Sequence, residues 1–474
     1  MFDLVENWGI INYFIYIGFL LFIAKIIKEK VPLLNRVIIP TALIAGFIGL
    51  LLADGFLNII PLNLYNEVDG GDLNGLVMLN RNGILRDIIY HSLAIGFIAL
   101  SLKKSQNKTT KKIWSTGMII VIIYLFQAII GAGVVLLFFK DVFLGAGLLL
   151  PLGFGQGPGL ATSIGAGYAE GVGVLVEGAA LGATIASVGF LVGGVIGVIA
   201  LNYFARKYDL NISKFHHEKS NIKETFEFDT IKELRVFDAL TTQVVIIFVI
   251  YGFVYLTLVL LENYVLPSMG DLGTTFSGVF HGFNFLIGII YALLFRNILN
   301  HFEKKGKNVN FLTNNYILSN ISSIAFNFLI TAAVLTITIA SIKEYYLLVI
   351  VMSLIASVLT FIAIYYLVKA TYDKKYFVEY FLGLFGMLTG TASTGLALLK
   401  GVDPSFESPV AEELVLGSGT AITMALPLFA LLMFPGLAIT TGNSIYVVLV
   451  FLVPAFYLLI LVGILLFINR DKTK

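Results

Sequence analysis

The decisive stretch is PLGFGQGPGLATSIGAGYAEG, residues 151–171. It lies between apolar runs, yet Gly153, Gly155, Gly157, Pro158 and Gly159 break any continuous helix there. Gly costs about 1 kcal/mol and Pro about 3 kcal/mol in a helix interior. Lipid in turn forbids exposed broken backbone, whose N–H and C=O groups would find no partner. The stretch therefore reads as a broken helix held within protein around a cavity.

A membrane setting follows from composition. Mean hydropathy is +0.92, and 58% of the 474 residues are hydrophobic against 13% charged. Apolar runs recur at 9–24, 37–53, 117–139, 243–261, 346–368 and 445–468, each near the ~20 residues that cross a ~30 Å hydrocarbon core. Continuous helical runs exclude an outer-membrane barrel of short alternating strands. The N-terminus MFDLVENWGI is acidic and the first basic residue, Lys25, follows the apolar run. That order is the reverse of a cleavable signal peptide, so a retained helix with an outer N-terminus is expected. With no cysteine in the chain, disulfides, thiolate metal sites and Fe–S clusters are excluded. The five histidines show no zinc-ligand spacing.

Charge sets the expected topology. Most of the 31 basic residues fall in six clusters: Lys25–Arg36, Lys103–Lys112, the linker 204–236, Arg296–Lys307, Lys369–Lys375 and Arg470–Lys474. Short cytoplasmic loops carry such excess. Threaded from an outer N-terminus, four spans bring the chain outside at Lys140–Asp141, and a span at 174–203 must then run inward. Segment 143–170 must therefore enter and leave on the outer side. Likewise spans at 239–264, 276–296, 314–341 and 344–368 lead inside, so 377–403 must return to the inside before 409–437 exits and 445–468 comes back. Arms of ~10–12 residues reach ~15–18 Å, so the tips of two opposed hairpins meet near the midplane.

The hairpins also resemble each other. GLATS (159–163) parallels GTAST (390–394), and EGAALGATIA (177–186) parallels EELVLGSGTA (412–421). The expected fold is an all-α polytopic membrane protein. It has two inverted repeats of five transmembrane helices plus one re-entrant hairpin each, with an extra C-terminal helix. The first repeat spans 1–203 (hairpin 143–170), a cytoplasmic linker 204–236, the second repeat 237–437 (hairpin 377–403), and the extra helix with its basic tail 438–474. Inverted repeats with discontinuous helices are secondary-transporter architecture.

The second arm of each hairpin starts near Leu160 and near Ala392. Its free N–H groups and dipole favour an anion such as a carboxylate. Candidate substrate contacts are Gln156, Gly157, Gly159, Thr162, Ser163, Thr391, Ser393 and Thr394. Hydroxyls and carbonyls also suit an alkali cation, and Thr389 and Gly390 are candidates for it. Ser322, Ser323 and Asn327 are further candidates for the cation; with Asn320 they form a polar stripe at helical spacing that lines a cavity opposite a tip in this reading. Glu177, with Glu170, and Glu412, with Glu413, are candidate cation or proton sites, since ionisable residues inside spans tend to face cavities. The bland alternative is close packing by small residues. Pro40 reads as a kink within its helix, and Asn284 and His281 as weaker polar candidates.

IIPTALIAGFIGLLL (38–52), GFGQGPG (153–159) leading to EGAALGATIASVGFLVGGVIG (177–197), and FGMLTGTASTGLALL (385–399) resemble the bacterial sodium/glutamate symporter family. The family's first hairpin typically reads Ser-Gly-Gly-His-Gly-Thr-Gly, so the tip differs here, as does the extra C-terminal helix. The resemblance implies inverted five-helix repeats with crossed hairpins, usually homodimeric, and an elevator-type motion in the bacterial inner membrane. It also implies sodium as the coupling ion for uptake of glutamate or a similar anionic amino acid. A proton- or sodium-coupled carrier of another carboxylate is the alternative. A channel would need an open polar path, and an enzyme a nucleophile with its base or a metal-ligand set. The spans display none of these.

Overall fold

A computed structural model describes residues 9–31, 39–52, 73–103, 111–208, 230–269, 284–307, 309, 312–337, 339–403 and 408–469. Among these residues the structure is all helical. In chain order the helices are α1 (Gly9–Lys30), α2 (Thr41–Leu52), α3 (Leu73–Leu102), α4 (Lys111–Phe138), α5 (Gly145–Gly155), α6 (Pro158–Val172) and α7 (Gly178–Lys207). There follow α8 (Thr230–Leu260), α9 (Asn284–Lys304), α10 (Asn315–Leu335), α11 (Ile339–Thr371), α12 (Phe377–Leu388) and α13 (Ala392–Lys400). The last four are α14 (Val410–Met424), α15 (Leu426–Leu431), α16 (Phe434–Thr441) and α17 (Ile445–Ile468). Nine of the described helices are long and apolar enough to cross a membrane, or ten if the bent run from α14 to α16 counts as one span. The protein is thus a multi-pass membrane protein by length and composition.

Two expected spans change form. Only 12 residues of 37–53 are described as helix, α2, about 18 Å of rise. Pro40 stands before that helix rather than within it, and its carbonyl accepts the Leu43 and Ile44 amides. The run 409–437 is not one rod either. It bends by 49° between Met424 and Pro427; a proline removes a ladder donor and crowds the preceding turn. Much of the basic linker, with Lys104, Lys108 and the Arg470–Lys474 tail, lies outside the described residues, as does His281.

The helices pack in two groups. Helices α1, α2, α3, α8, α9 and α10 pack mainly on one another, and α4 to α7, α11 to α14 and α17 on one another. A separate apolar cluster joins α3, α8, α9 and α10 through Ile98, Ile250, Val254, Ala292 and Leu318. Helix ends in this first group are tied by side chains. Arg296 donates to the carbonyls of Ser101 (3.3 Å) and Lys103 (3.1 Å) at the end of α3, satisfying acceptors that a helix terminus leaves open. Where the groups meet, α3 and α10 lie against α6, and α10 also against α7. There the isobutyl group of Leu329 presses on Gly159, where a Cβ would collide with it.

Candidate functional site: two broken helices meeting at their tips

Both breaks appear where Gly and Pro or Gly and Thr fall. α5 ends at Gly155, and Gly157 takes φ 89°, ψ 177° as the N-cap of α6 with Pro158 at the first helical position. That is the position proline suits, since its missing N–H would be unpaired anyway. The second arm thus begins two residues ahead of the expected Leu160. In the second hairpin α12 ends at Leu388 and α13 starts at Ala392, as expected. Each pair of helices folds back on itself. Phe143 packs edge-on to Tyr168, with ring centroids 5.0 Å apart, and Gly395 lies against Met387 and the Gly383 carbonyl. The tips touch, a Cβ on Gly157 reaching to 3.2 Å from Thr391 Cγ2.

One helix backs both hairpins. Along α7, Gly178 and Gly182 meet the backbone of Gly165 and Ala161 in the first hairpin. At the junction a Cβ on Gly189 would fall 2.9 Å from the Thr389 carbonyl and 3.0 Å from Phe154. Beyond it, a Cβ on Gly193 would fall 2.9 Å from Thr389 Oγ1, and one on Gly197 2.5 Å from Leu398 Cδ1. These glycines recur at helical spacing on a single face, so the backbones approach without side chains between them.

A second helix ties off the breaks. Tyr124 of α4 donates from its hydroxyl to the Gly155 carbonyl at 3.0 Å. One turn on, Gln127 donates from Nε2 to the Leu388 carbonyl at 2.9 Å and to Thr360 Oγ1 at 3.2 Å. Adjacent turns of α4 thereby cap the terminal carbonyls of both first arms. Neither residue is among the sequence candidates. A buried glutamine in the middle of an apolar span was the available signal.

The candidate residues divide by environment. Thr162 and Thr394 are 1% and 2% exposed, and neither hydroxyl oxygen has a hydrogen-bond partner within the protein. Buried polar atoms are nearly always paired, and each exception calls for an explanation. Thr389 is buried and donates to Phe385 in its own helix at 2.7 Å, while its carbonyl faces Gly189. Gln156 and Thr391 are half-buried at the two tips, with Gly157, Gly159 and Gly390 buried beside them. The side chains of Ser393 and Glu170 lie outside the described residues.

The polar stripe of α10 does not turn inward as a unit. Ser322 is buried, but Asn320, Ser323 and Asn327 are exposed. Of the acid pair at the start of α14, Glu412 is exposed and Glu413 is buried. The carboxylate of Glu413 accepts from the Tyr380 hydroxyl at 2.5 Å, and the Tyr380 ring stacks on Tyr372 at 3.5 Å. Tyr372 in turn shares a 2.6 Å hydrogen bond with Thr116, and burial raises its phenol pKa. Glu177, half-buried, is the N-cap residue of α7.

Beside the first hairpin lies an open chamber of about 400 Å³ between α3, α6 and the end of α8. Thr162 and Ser163 line it together with Arg86, Asp87, Tyr255 and Glu262. His91 lines it too, with Nδ1 2.6 Å from the Tyr251 hydroxyl. Compared with known proteins, the chain matches no family model, no curated protein and no solved structure.

Proposed function

We propose that the protein is a secondary active transporter. In this reading it carries glutamate or a similar anionic amino acid inward with sodium, by elevator-like alternating access. The observation that carries the reading is the junction itself. Two broken helices touch at Gly157 and Thr391, and each second arm buries one hydroxyl without a protein partner, Thr162 and Thr394. Half-helix N-termini with free amides favour a carboxylate, and carbonyls and hydroxyls around a break suit a sodium ion. Thr389 and Gly390 are the cation candidates here, and Gln156, Gly159 and Ser163 sit with the substrate.

The order of the packing supports an inverted repeat. In each half three helices (α1–α3, α8–α10) belong to one packing group. In each half the next helix, the hairpin and the helix after it (α4–α7, α11–α14) belong to the other. One group would slide against the other across the Leu329–Gly159 contact. As re-entrant hairpins, the pairs α5–α6 and α12–α13 would enter from opposite sides of a bacterial inner membrane. The N-terminus would then be outside and the C-terminus cytoplasmic, with a homodimer as the assembly.

Purified protein in proteoliposomes is expected to accumulate acidic amino acids from a labelled panel only when sodium is higher outside. Equal uptake with and without the sodium gradient would reject sodium coupling. The buried Glu413–Tyr380 pair favours one second reading, proton coupling. Under it, a pH gradient alone drives uptake and Glu413→Gln abolishes the pH dependence. Under sodium coupling that variant keeps its sodium dependence.

Topology has its own test. The chain lacks cysteine, so single thiols report cleanly. Ser163→Cys should react with an impermeant reagent from the outer face and Thr391→Cys from the inner face. Labelling of both from the same face in every ionic condition would reject opposed hairpins.

A further inference from the structure

The chamber beside the first hairpin has a charge pattern that the tip-to-tip junction lacks. Arg86 lines it from α3, with Asp87 next to it. Glu262 lines it from the turn that follows α8, and Thr162 and Ser163 line it from α6. One guanidinium with two carboxylates around a space of about 400 Å³ is within the size range of small-molecule sites. A ligand carrying only negative charge meets more repulsion than attraction there. A ligand carrying both signs is matched, because guanidinium pairs with carboxylate in a two-point fork and carboxylates accept from ammonium. The unpartnered Thr162 hydroxyl, itself almost fully buried, offers one more polar atom on the hairpin side.

We propose that this chamber is a recognition site for the zwitterionic end of an α-amino acid, with Arg86 holding the carboxylate, Asp87 and Glu262 the ammonium, and Thr162 and Ser163 completing the shell. The inference rests on the transport reading above and goes further, since it makes the amine a requirement. The chamber lies between the two helix groups, α3 and α8 on one side and the first hairpin on the other. Ligand bound there bridges surfaces that alternating access would move apart. It is therefore a waiting position beside the tips.

The test uses uptake into proteoliposomes, competed by glutamate or by glutarate, the same skeleton without the amine. Wild-type protein should prefer glutamate at least tenfold. Combined Asp87→Asn and Glu262→Gln should weaken glutamate about ten- to a hundredfold, the loss of a hydrogen bond to a charged group, and should not weaken glutarate, whose repulsion they relieve. Arg86→Gln should weaken both competitors. Independently of those variants, glutamate should slow modification of Ser163→Cys by an impermeant thiol reagent, and glutarate should not. Normal glutamate uptake with all variant affinities within twofold of wild type, and with Ser163→Cys unprotected, would overturn the chamber while leaving the transport reading intact. Failure of the wild-type protein to take up any amino acid would instead remove that reading, and the inference with it.

Discussion

Gly157→Val is expected to abolish uptake while the protein remains in the membrane at wild-type level. Two effects add at this residue. Its φ of 89° and ψ of 177° lie in a region open essentially to glycine, where another residue costs about 1–3 kcal/mol. A Cβ would also stand 3.2 Å from Thr391 Cγ2, and the branches of valine would push the two tips apart. Gly173 separates these effects. It too has positive φ, 69°, but nothing lies within 4 Å of its Cβ position, so Gly173→Val bears the strain without the collision. Uptake and membrane abundance measured on the same preparations decide the matter. Gly173→Val should transport, and wild-type uptake by Gly157→Val would mean that the tip contact has no part in function.

The second large effect concerns folding. Gly165→Leu should leave little folded protein, because a Cβ there would collide with the Gly178 carbonyl and its carbon across the α6–α7 contact. Backbone cannot yield as the end of a flexible side chain can, so the two helices must separate, and overpacked interiors typically lose about 1–3 kcal/mol or more. Gly463→Leu in α17 has nothing within 4 Å of its Cβ and replaces glycine by a better helix former. It should express like wild type. Thermal unfolding in detergent gives the comparison, and equal midpoints for the two variants would contradict the close approach of α6 and α7.

How much of this was legible in the chain differs by element. The two breaks were, because Gly157–Pro158 and Thr389–Gly390 interrupt apolar runs and lipid leaves such breaks few options. The start of α6 was misplaced by two residues because Pro158 can begin a helix as well as end one. Burial was harder. Glu412 and Glu413 are neighbours in sequence, and only the phase of α14 sends the second inward. Likewise the stripe Asn320, Ser323, Asn327 has the spacing of a functional face, but its direction depends on which neighbours cover α10. Tyr124 and Gln127 act across helices, reaching α5 and α12 from a different span. No pattern within one helix reveals those pairings, although an intramembrane glutamine invites the question.

The shared face of α7 also sets limits on divergence. Gly178, Gly182, Gly189, Gly193 and Gly197 each abut backbone or a core side chain of one hairpin or the other, so a side chain gained at any of them is felt where the hairpins meet. None of those glycine contacts involves the chamber residues Arg86, Asp87 or Glu262. If the chamber selects the cargo as proposed, descendants of this chain would change it by altering Arg86, Asp87 or Glu262, while the glycine rail of α7 stays fixed. Selection would then act on two clocks within one molecule, slow along the rail and fast around the chamber.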